Sequence, residues 1–323
     1  MNNKHFWQDK RVFVTGVAGL LGSWLAADLV SKGAHVVGLI RDDVPQSQLV
    51  RAGTIAQIDV VHGDITDYAM MERAIAEYEI DSIFHLAAQT IVGIANRAPL
   101  STFEANIKGS WVMLEAARRN PTVERMVVAS SDKAYGTHAE LPYREDAPMQ
   151  GAHPYDVSKS CADLITRSYA NTYDLPVAVT RCANLYGGGD LNWNRLVPGT
   201  MRSVLRGKRP LVRSDGTLKR DYIYVQDAVR GYMMTAEQMD VARGQAFNFG
   251  VDQPRAVLEM IDAIVTLSGN ADLSPIILNE AKNEIQDQYL LSEKAARVLG
   301  WKPQYSLQEG LRATMAWYKA FLA

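Results

Sequence analysis

The sequence predicts an α/β protein: a Rossmann-like, doubly wound parallel sheet with a smaller, discontinuous C-terminal substrate domain. Three observations predict it. Short apolar runs alternate with amphipathic stretches over most of the chain, as expected of a parallel sheet covered on both faces. A glycine-rich turn, TGVAGLLG (15–22), follows the first of those runs. The 323 residues, 47% hydrophobic and 22% charged, suit a soluble protein with one large or two interleaved cores.

Taken in order, the strands are expected at Val12–Thr15, His35–Ile40, Ile58–His62, Ser82–Leu86, Arg125–Ser130 and Val177–Arg181, each a short apolar run. Helical spacing predicts Leu20–Ser31, Ala69–Glu77, Pro99–Arg119, Pro154–Tyr173 and Leu196–Arg206. Pro121 and Pro176 fall just past helices, where a missing N–H does no harm. After about Ala183 the rhythm changes to shorter, glycine-punctuated segments. AFNFG (246–250) predicts a strand that returns to the first sheet before a new helix, and the chain from about Asn270 is expected to be helical, ending in an amphipathic helix near Gln308–Phe321. The expected division is 1–184 with 244–269 for a nucleotide-binding domain, and 185–243 with 270–323 for a substrate domain.

The net charge of −2 gives no electrostatic case for nucleic acid or an anionic membrane as partner. No signal-peptide core opens the chain, and no apolar run approaches the roughly 18 residues of a membrane helix, so the cytoplasm is the expected compartment. Cys161 and Cys182 make neither a metal spacing nor a disulfide framework, and no metal site is expected.

In TGVAGLLG, Gly16, Gly19 and Gly22 let the backbone turn tightly, so that a pyrophosphate can approach the helix N-terminus at Leu20 and Leu21. The pattern predicts a bound NAD(P). At the end of the second strand stand Arg41, Asp42 and Asp43. Arg41 can pair with a 2′-phosphate, whereas the carboxylates come one or two places late for the ribose hydroxyls, so NADP is slightly favoured over NAD. Asp64 and Ile65 follow the third strand, placed for adenine, and Leu86, Ala87, Ala88 and Gln89 follow the fourth, where ribose and nicotinamide must pass.

Tyr155 and Lys159, four apart on a helix, share one face. A neighbouring ammonium favours tyrosinate, which makes the pair a base for a carbinol proton. Ser131, Asp132 and Lys133 add a hydroxyl, a carboxyl and an amine just upstream. With these residues the chain resembles the extended short-chain dehydrogenase/reductase family over nearly its whole length, through TGVAGLLG, HLAAQ (85–89), Asn106 in ANIKG, SSDKAYG (130–136), YDVSK (155–159) and RDYIYVQD (220–227). Within that family it most resembles the nucleotide-sugar 4,6-dehydratases, and among them the CDP-glucose 4,6-dehydratase branch, through Ser131-Asp132-Lys133, GGGDLNWNRLVP (187–198) and EIQDQYLLSEKA (284–295).

The resemblance implies a cycle at a nucleotide-diphosphate sugar. Tyr155 takes the O4 proton while C4 gives up hydride, with Ser131 as hydrogen-bond partner. Loss of the C5 proton and the C6 hydroxyl expels water, Asp132 protonating the departing oxygen, and hydride then returns to C6. It further implies that Asn106, Tyr155 and Lys159 border the cofactor, that Thr90, Asn184, Arg195, Leu196, Val197 and Arg220 contact the substrate, and that the protein is a homodimer or tetramer packed through the helices bearing Asn106 and Tyr155. Lys133 stands where many relatives carry a glutamate as C5 base; direct participation is expected, with electrostatic support or an ion pair to Asp132 as alternatives. Two departures weaken the assignment of the nucleobase: Gln226 replaces an acidic residue, and Asn283-Glu284-Ile285 replaces an arginine. CDP-glucose is the expected substrate and GDP-mannose an alternative. A 4-epimerase would use Tyr155 and Lys159 but has no leaving hydroxyl for Asp132 to protonate, and a non-catalytic dinucleotide-sensing regulator needs neither.

Overall fold

The protein is described by a computed structural model covering residues 5–270, 272–280 and 285–323. Asn283 and Glu284 therefore lie outside the described residues. The six expected strands form as β1 (Arg11–Thr15), β2 (His35–Ile40), β3 (Asp59–His62), β4 (Ser82–His85), β5 (Arg125–Ala129) and β6 (Val177–Cys182). They pair in the order β3-β2-β1-β4-β5-β6, and the Ala246–Phe249 strand returns to pair with β6, making seven. Every neighbouring pair is parallel. Chain order reverses between β1 and β4, which opens a crevice at the carboxyl ends of the strands. Thr15, His85, Ala129 and Cys182 all end on that one edge.

The alternation of side chains across the strands sends Val12 and Val14 to one face and Phe13 to the other. The first face packs with Leu25, Phe84, Val127, Phe247 and Phe249, the second with Ile83, Met113, Val128 and Val177. The covering helices begin where the sequence provides a start. Helix α1 (Leu20–Ser31) follows the glycine turn, Asp67 caps the Tyr68–Glu77 helix through Met70 N, and Pro154 occupies the first turn of the Pro154–Tyr173 helix.

Two expectations need correction. The single helix expected over Pro99–Arg119 is interrupted by a π-helical segment, Glu104–Lys108, between Pro99–Phe103 and Gly109–Arg119. The tail from Asn270 is not uniformly helical: Ile276–Ile277 pairs with Leu211–Val212, and Asp287–Gln288 pairs with Lys219–Arg220. Pro275 explains the first strand, since it cannot continue a helical ladder and holds the preceding residue extended. Helices Glu293–Leu299 and Leu307–Leu322 close the chain.

A third apolar cluster gathers Tyr186, Val197, Met201, Tyr222, Tyr224, Leu311, Met315 and Tyr318 beside the crevice. The Val257–Ser268 helix buries Met260, Ile261 and Ile264 in the same cluster. Among the described residues no helix is long and apolar enough to cross a membrane.

Candidate active site

The glycine turn is built for close approach. Gly16 has φ +70°, and a Cβ there would lie 2.8 Å from Ala87 N; a Cβ on Gly22 would lie 2.3 Å from Gly16 O. Gly19 is the N-cap of α1 and offers no side chain to the helix, so the first-turn amides of Leu20, Leu21 and Gly22 lack a side-chain cap. These features fit a dinucleotide pyrophosphate. Beside them, Thr15 Oγ1 accepts from Leu86 N and Ala87 N, both at 3.1 Å, which fixes the strand end that carries Ala88 and Gln89.

A buried polar chain continues from there. Thr15 Oγ1 lies 2.9 Å from His85 Nδ1, and His85 Nε2 lies 3.4 Å from Ser110 Oγ. Ser110 gives its proton to Asn106 O, so it can only accept from His85. That leaves His85 neutral with its proton on Nε2. Burial and the nearby Lys159 charge bring its pKa down to about 3. Asn106, turned inward by the π-helical segment, accepts from Gln89 N at 2.7 Å and donates to Gln89 O and Ser158 Oγ. A helical break with a fully bonded asparagine at its centre gives the Gln89 loop one fixed position.

Tyr155 and Lys159 share a buried face of their helix, 8% and 5% exposed. Burial pushes the Tyr155 phenol up to about 12, opposed by the Arg195 charge and by a hydrogen bond with Ser131. Lys159 Nζ donates to Ala129 O at 2.8 Å, and burial brings its pKa down to about 8. The expected lowering of the phenol by Lys159 is therefore not what this site shows. The ammonium is directed at a backbone carbonyl, and burial sets the phenol.

The Ser131–Tyr135 turn brings the other candidates to the same place. Ser131 Oγ donates to Asp132 Oδ1 at 3.1 Å and accepts from Lys133 N at 3.2 Å. Asp132 is buried, and desolvation raises its carboxyl above the usual range, with Lys133, Ser131, Gln288 and Arg220 pulling the other way. Lys133 Nζ donates to Gln288 Oε1 at 3.2 Å rather than forming an ion pair with Asp132. The turn is locked from behind by Arg181, which grips Asp163 bidentately at 2.8 and 2.9 Å and reaches Tyr135 Oη at 2.7 Å.

Arg195 bridges Asp190 Oδ2 and Thr90 Oγ1, each at 3.1 Å, and faces Tyr155 from the third cluster. Leu196 and buried Val197 begin the helix after it. Asn184 lies on a short strand paired with Tyr222–Tyr224, and Arg220 donates to Lys219 O and Gln286 O, close to Asp132. Arg195 thus stands near Tyr155 and Arg220 near Asp132. Asp64 and Ile65 stand at the end of β3, Asp64 turning a loop through Thr66 N and Ile65 packing beneath Gly109. Arg41 is set apart: it is exposed and paired with Asp42 at 2.7 Å.

Gln288 escaped the sequence reading. It is fully buried, belongs to the Asp287–Gln288 strand, and meets Lys133 across 155 residues of sequence. The segment EIQDQYLLSEKA contains it, but no local pattern says which of its residues reaches the turn at Ser131.

A parallel sheet with a dinucleotide cradle and a buried Tyr–Lys pair at its carboxyl edge defines a Rossmann-type short-chain dehydrogenase/reductase architecture. The chain belongs to the family described as GDP-mannose 4,6 dehydratase, whose model matches residues 13–314. It is 32% identical to CDP-glucose 4,6-dehydratase of Salmonella typhimurium, across 100% of this chain and 94% of that one. Among solved structures it superposes on dTDP-glucose 4,6-dehydratase from Streptomyces venezuelae, with NAD bound, at a TM-score of 0.87 and 27% identity, covering 96% and 97% of the two chains. It superposes equally well on UDP-glucose 4-epimerase from Thermotoga maritima, at a TM-score of 0.89 and 29% identity, covering 97% and 100%.

Proposed function

We propose that this protein is a nucleotide-sugar 4,6-dehydratase acting on CDP-glucose. The observation that carries the reading is a buried carboxyl, Asp132, raised toward its neutral form within one turn of Ser131 and beside Tyr155. A neutral acid is the group a departing hydroxyl needs, and an epimerase has no use for it. The choice of cytidine and glucose rests on the Salmonella relative.

In this reading Gly16, Gly19, Leu20, Leu21 and Gly22 hold the pyrophosphate, Asn106 fixes the Leu86–Gln89 wall, and Lys159 reaches the ribose. When bound, the dinucleotide supplies the hydride acceptor and later the hydride donor. Tyr155 takes the O4 proton as the phenolate, the form that the Arg195 charge and the hydrogen bond with Ser131 favour against burial, so that C4 can become a ketone. The ketone acidifies C5–H. Lys133 Nζ accepts the C5 proton on its lone pair, the C5–H pair becomes the C5–C6 double bond, and the C6–O pair leaves with the oxygen. Asp132 protonates that oxygen, and water is released. Arg195 and Arg220, with Asn184 and Thr90, hold the nucleotide diphosphate, because a planar guanidinium can donate two parallel hydrogen bonds to phosphate.

For the dinucleotide, the Arg41–Asp42 pair shifts the preference from NADP to NAD: a 2′-phosphate would have to displace Asp42 from the guanidinium. The seven-stranded part would bind the dinucleotide and the third-cluster part the nucleotide sugar. A homodimer is supported by Leu100, Trp111 and Leu164, large apolar side chains 73%, 40% and 53% exposed on the helices around Asn106 and Tyr155. A solution mass of one chain would remove the dimer. Incubation with a panel of glucose- and mannose-based nucleotide sugars tests the activity. A product lighter by one water is expected from CDP-glucose, and an isomer of unchanged mass would make the protein an epimerase instead.

A further inference from the structure

Asp132 Oδ2 and Gln288 Nε2 are the two buried side-chain polar atoms, among the described residues, that lack a hydrogen-bond partner. They belong to the same small cluster. Gln288 tempers the Asp132 charge, yet no hydrogen bond of sound geometry joins the two atoms. Polar atoms left bare in a protein interior are costly, because each gives up its hydration with nothing in return. Such atoms, side by side, mark a seat for a group that can use both.

The amide's orientation is set. Before it loses a proton the Lys133 ammonium can only donate, so in that form the atom it meets at 3.2 Å is the carboxamide oxygen, which turns the NH2 toward Asp132. The backbone carrying Gln288 is pinned on both sides. Gln288 is in register with Arg220 across a parallel pair, and Tyr143 bonds Tyr289 O and Leu291 N at 3.0 and 2.9 Å. That ladder keeps the backbone of Gln288 beside the turn that carries Lys133.

We propose that Gln288 Nε2 and Asp132 Oδ2 together seat the C6 hydroxyl of the substrate, Gln288 donating to the oxygen as it leaves. This rests on the dehydratase reading. The hydroxyl oxygen has two lone pairs, and in the elimination it receives a proton from Asp132 on one and a hydrogen bond from Gln288 on the other. Negative charge building on the oxygen as C6–O breaks is thereby met by two donors, and the water formed stays bonded to Gln288 until release. The contact of Lys133 with the amide oxygen ties the third group of the site to the same side chain.

The test compares CDP-glucose with its 6-deoxy-6-fluoro analogue in the intact enzyme. Fluoride leaves without needing full protonation, so help to a departing oxygen matters far less. With Gln288→Met, loss of water should slow roughly a hundredfold, the scale of removing one donor from a developing oxyanion. Formation of the 4-ketohexose, trapped by rapid quench, should stay near wild type, and loss of fluoride should fall only a few-fold. The ratio of the two elimination rates does not depend on how much variant is folded. Gln288→Asn, which withdraws the same carboxamide by one carbon, should move that ratio in the same direction by less. Equal slowing with both leaving groups, or wild-type loss of water, overturns the role given to Gln288. A wild-type enzyme that releases no water from any nucleotide sugar overturns the dehydratase reading itself.

Discussion

Tyr155→Phe is expected to abolish turnover, lowering kcat by about 10³-fold or more while nucleotide-sugar binding survives. The phenol sits on a buried helical face, and burial pushes it up to about 12, so it holds its proton at rest. Its neighbours set how it can work. Ser131 hydrogen-bonds the phenol, and the Arg195 charge lowers its pKa. Lys159, its partner one turn on, is bonded to Ala129 O. Nearby, His85 is neutral with its free nitrogen facing Thr15, and Asp132 Oδ1 accepts from Ser131. Stopped-flow measurement of C4 oxidation checks the assignment, and activity near wild type would refute it.

Asp132→Asn should give a different lesion, splitting the reaction in two. Asparagine keeps the shape and still accepts from Ser131, but it has no acidic proton for the leaving oxygen. C4 oxidation should proceed and loss of water should fall by about 10²–10⁴-fold, the range for a general acid. Lys133→Ala should block loss of water too, by an earlier failure. In heavy water, the Asp132→Asn enzyme should still exchange the C5 hydrogen of bound substrate, because Lys133 can remove it. Lys133→Ala should exchange none. Exchange by both variants at the wild-type rate would exclude Lys133 as the base and leave it as electrostatic support.

Much of this arrangement is legible in the sequence because it is local. β1, β2 and β4–β6 read clearly since their central residues are buried on both faces and include short apolar runs. The TGVAGLLG turn, the Pro154 helix start and the Tyr155–Lys159 spacing are all set within a few residues of sequence. What the sequence hides depends on partners far along the chain. The π-helical segment at Glu104–Lys108 has no compositional mark; it is held where Asn106 meets Gln89 and Ser158, 17 and 52 residues away. The Ile276–Ile277 and Asp287–Gln288 strands are only two residues long, too short for a periodicity, and exist through pairing with Leu211–Val212 and Lys219–Arg220. Gln288 follows from that pairing. The Lys159–Ala129 bond was equally invisible, since a lysine on the right helical face does not reveal which acceptor it will find.

The claim that the protein removes water across C5 and C6 after oxidising C4 is tested most directly with CDP-glucose carrying deuterium at C4. The account predicts a 4-keto-6-deoxy product, lighter by one water, with the deuterium recovered at C6. An isomer of unchanged skeleton mass that keeps its deuterium at C4 would contradict it, and would assign the same tyrosine and lysine to epimerisation.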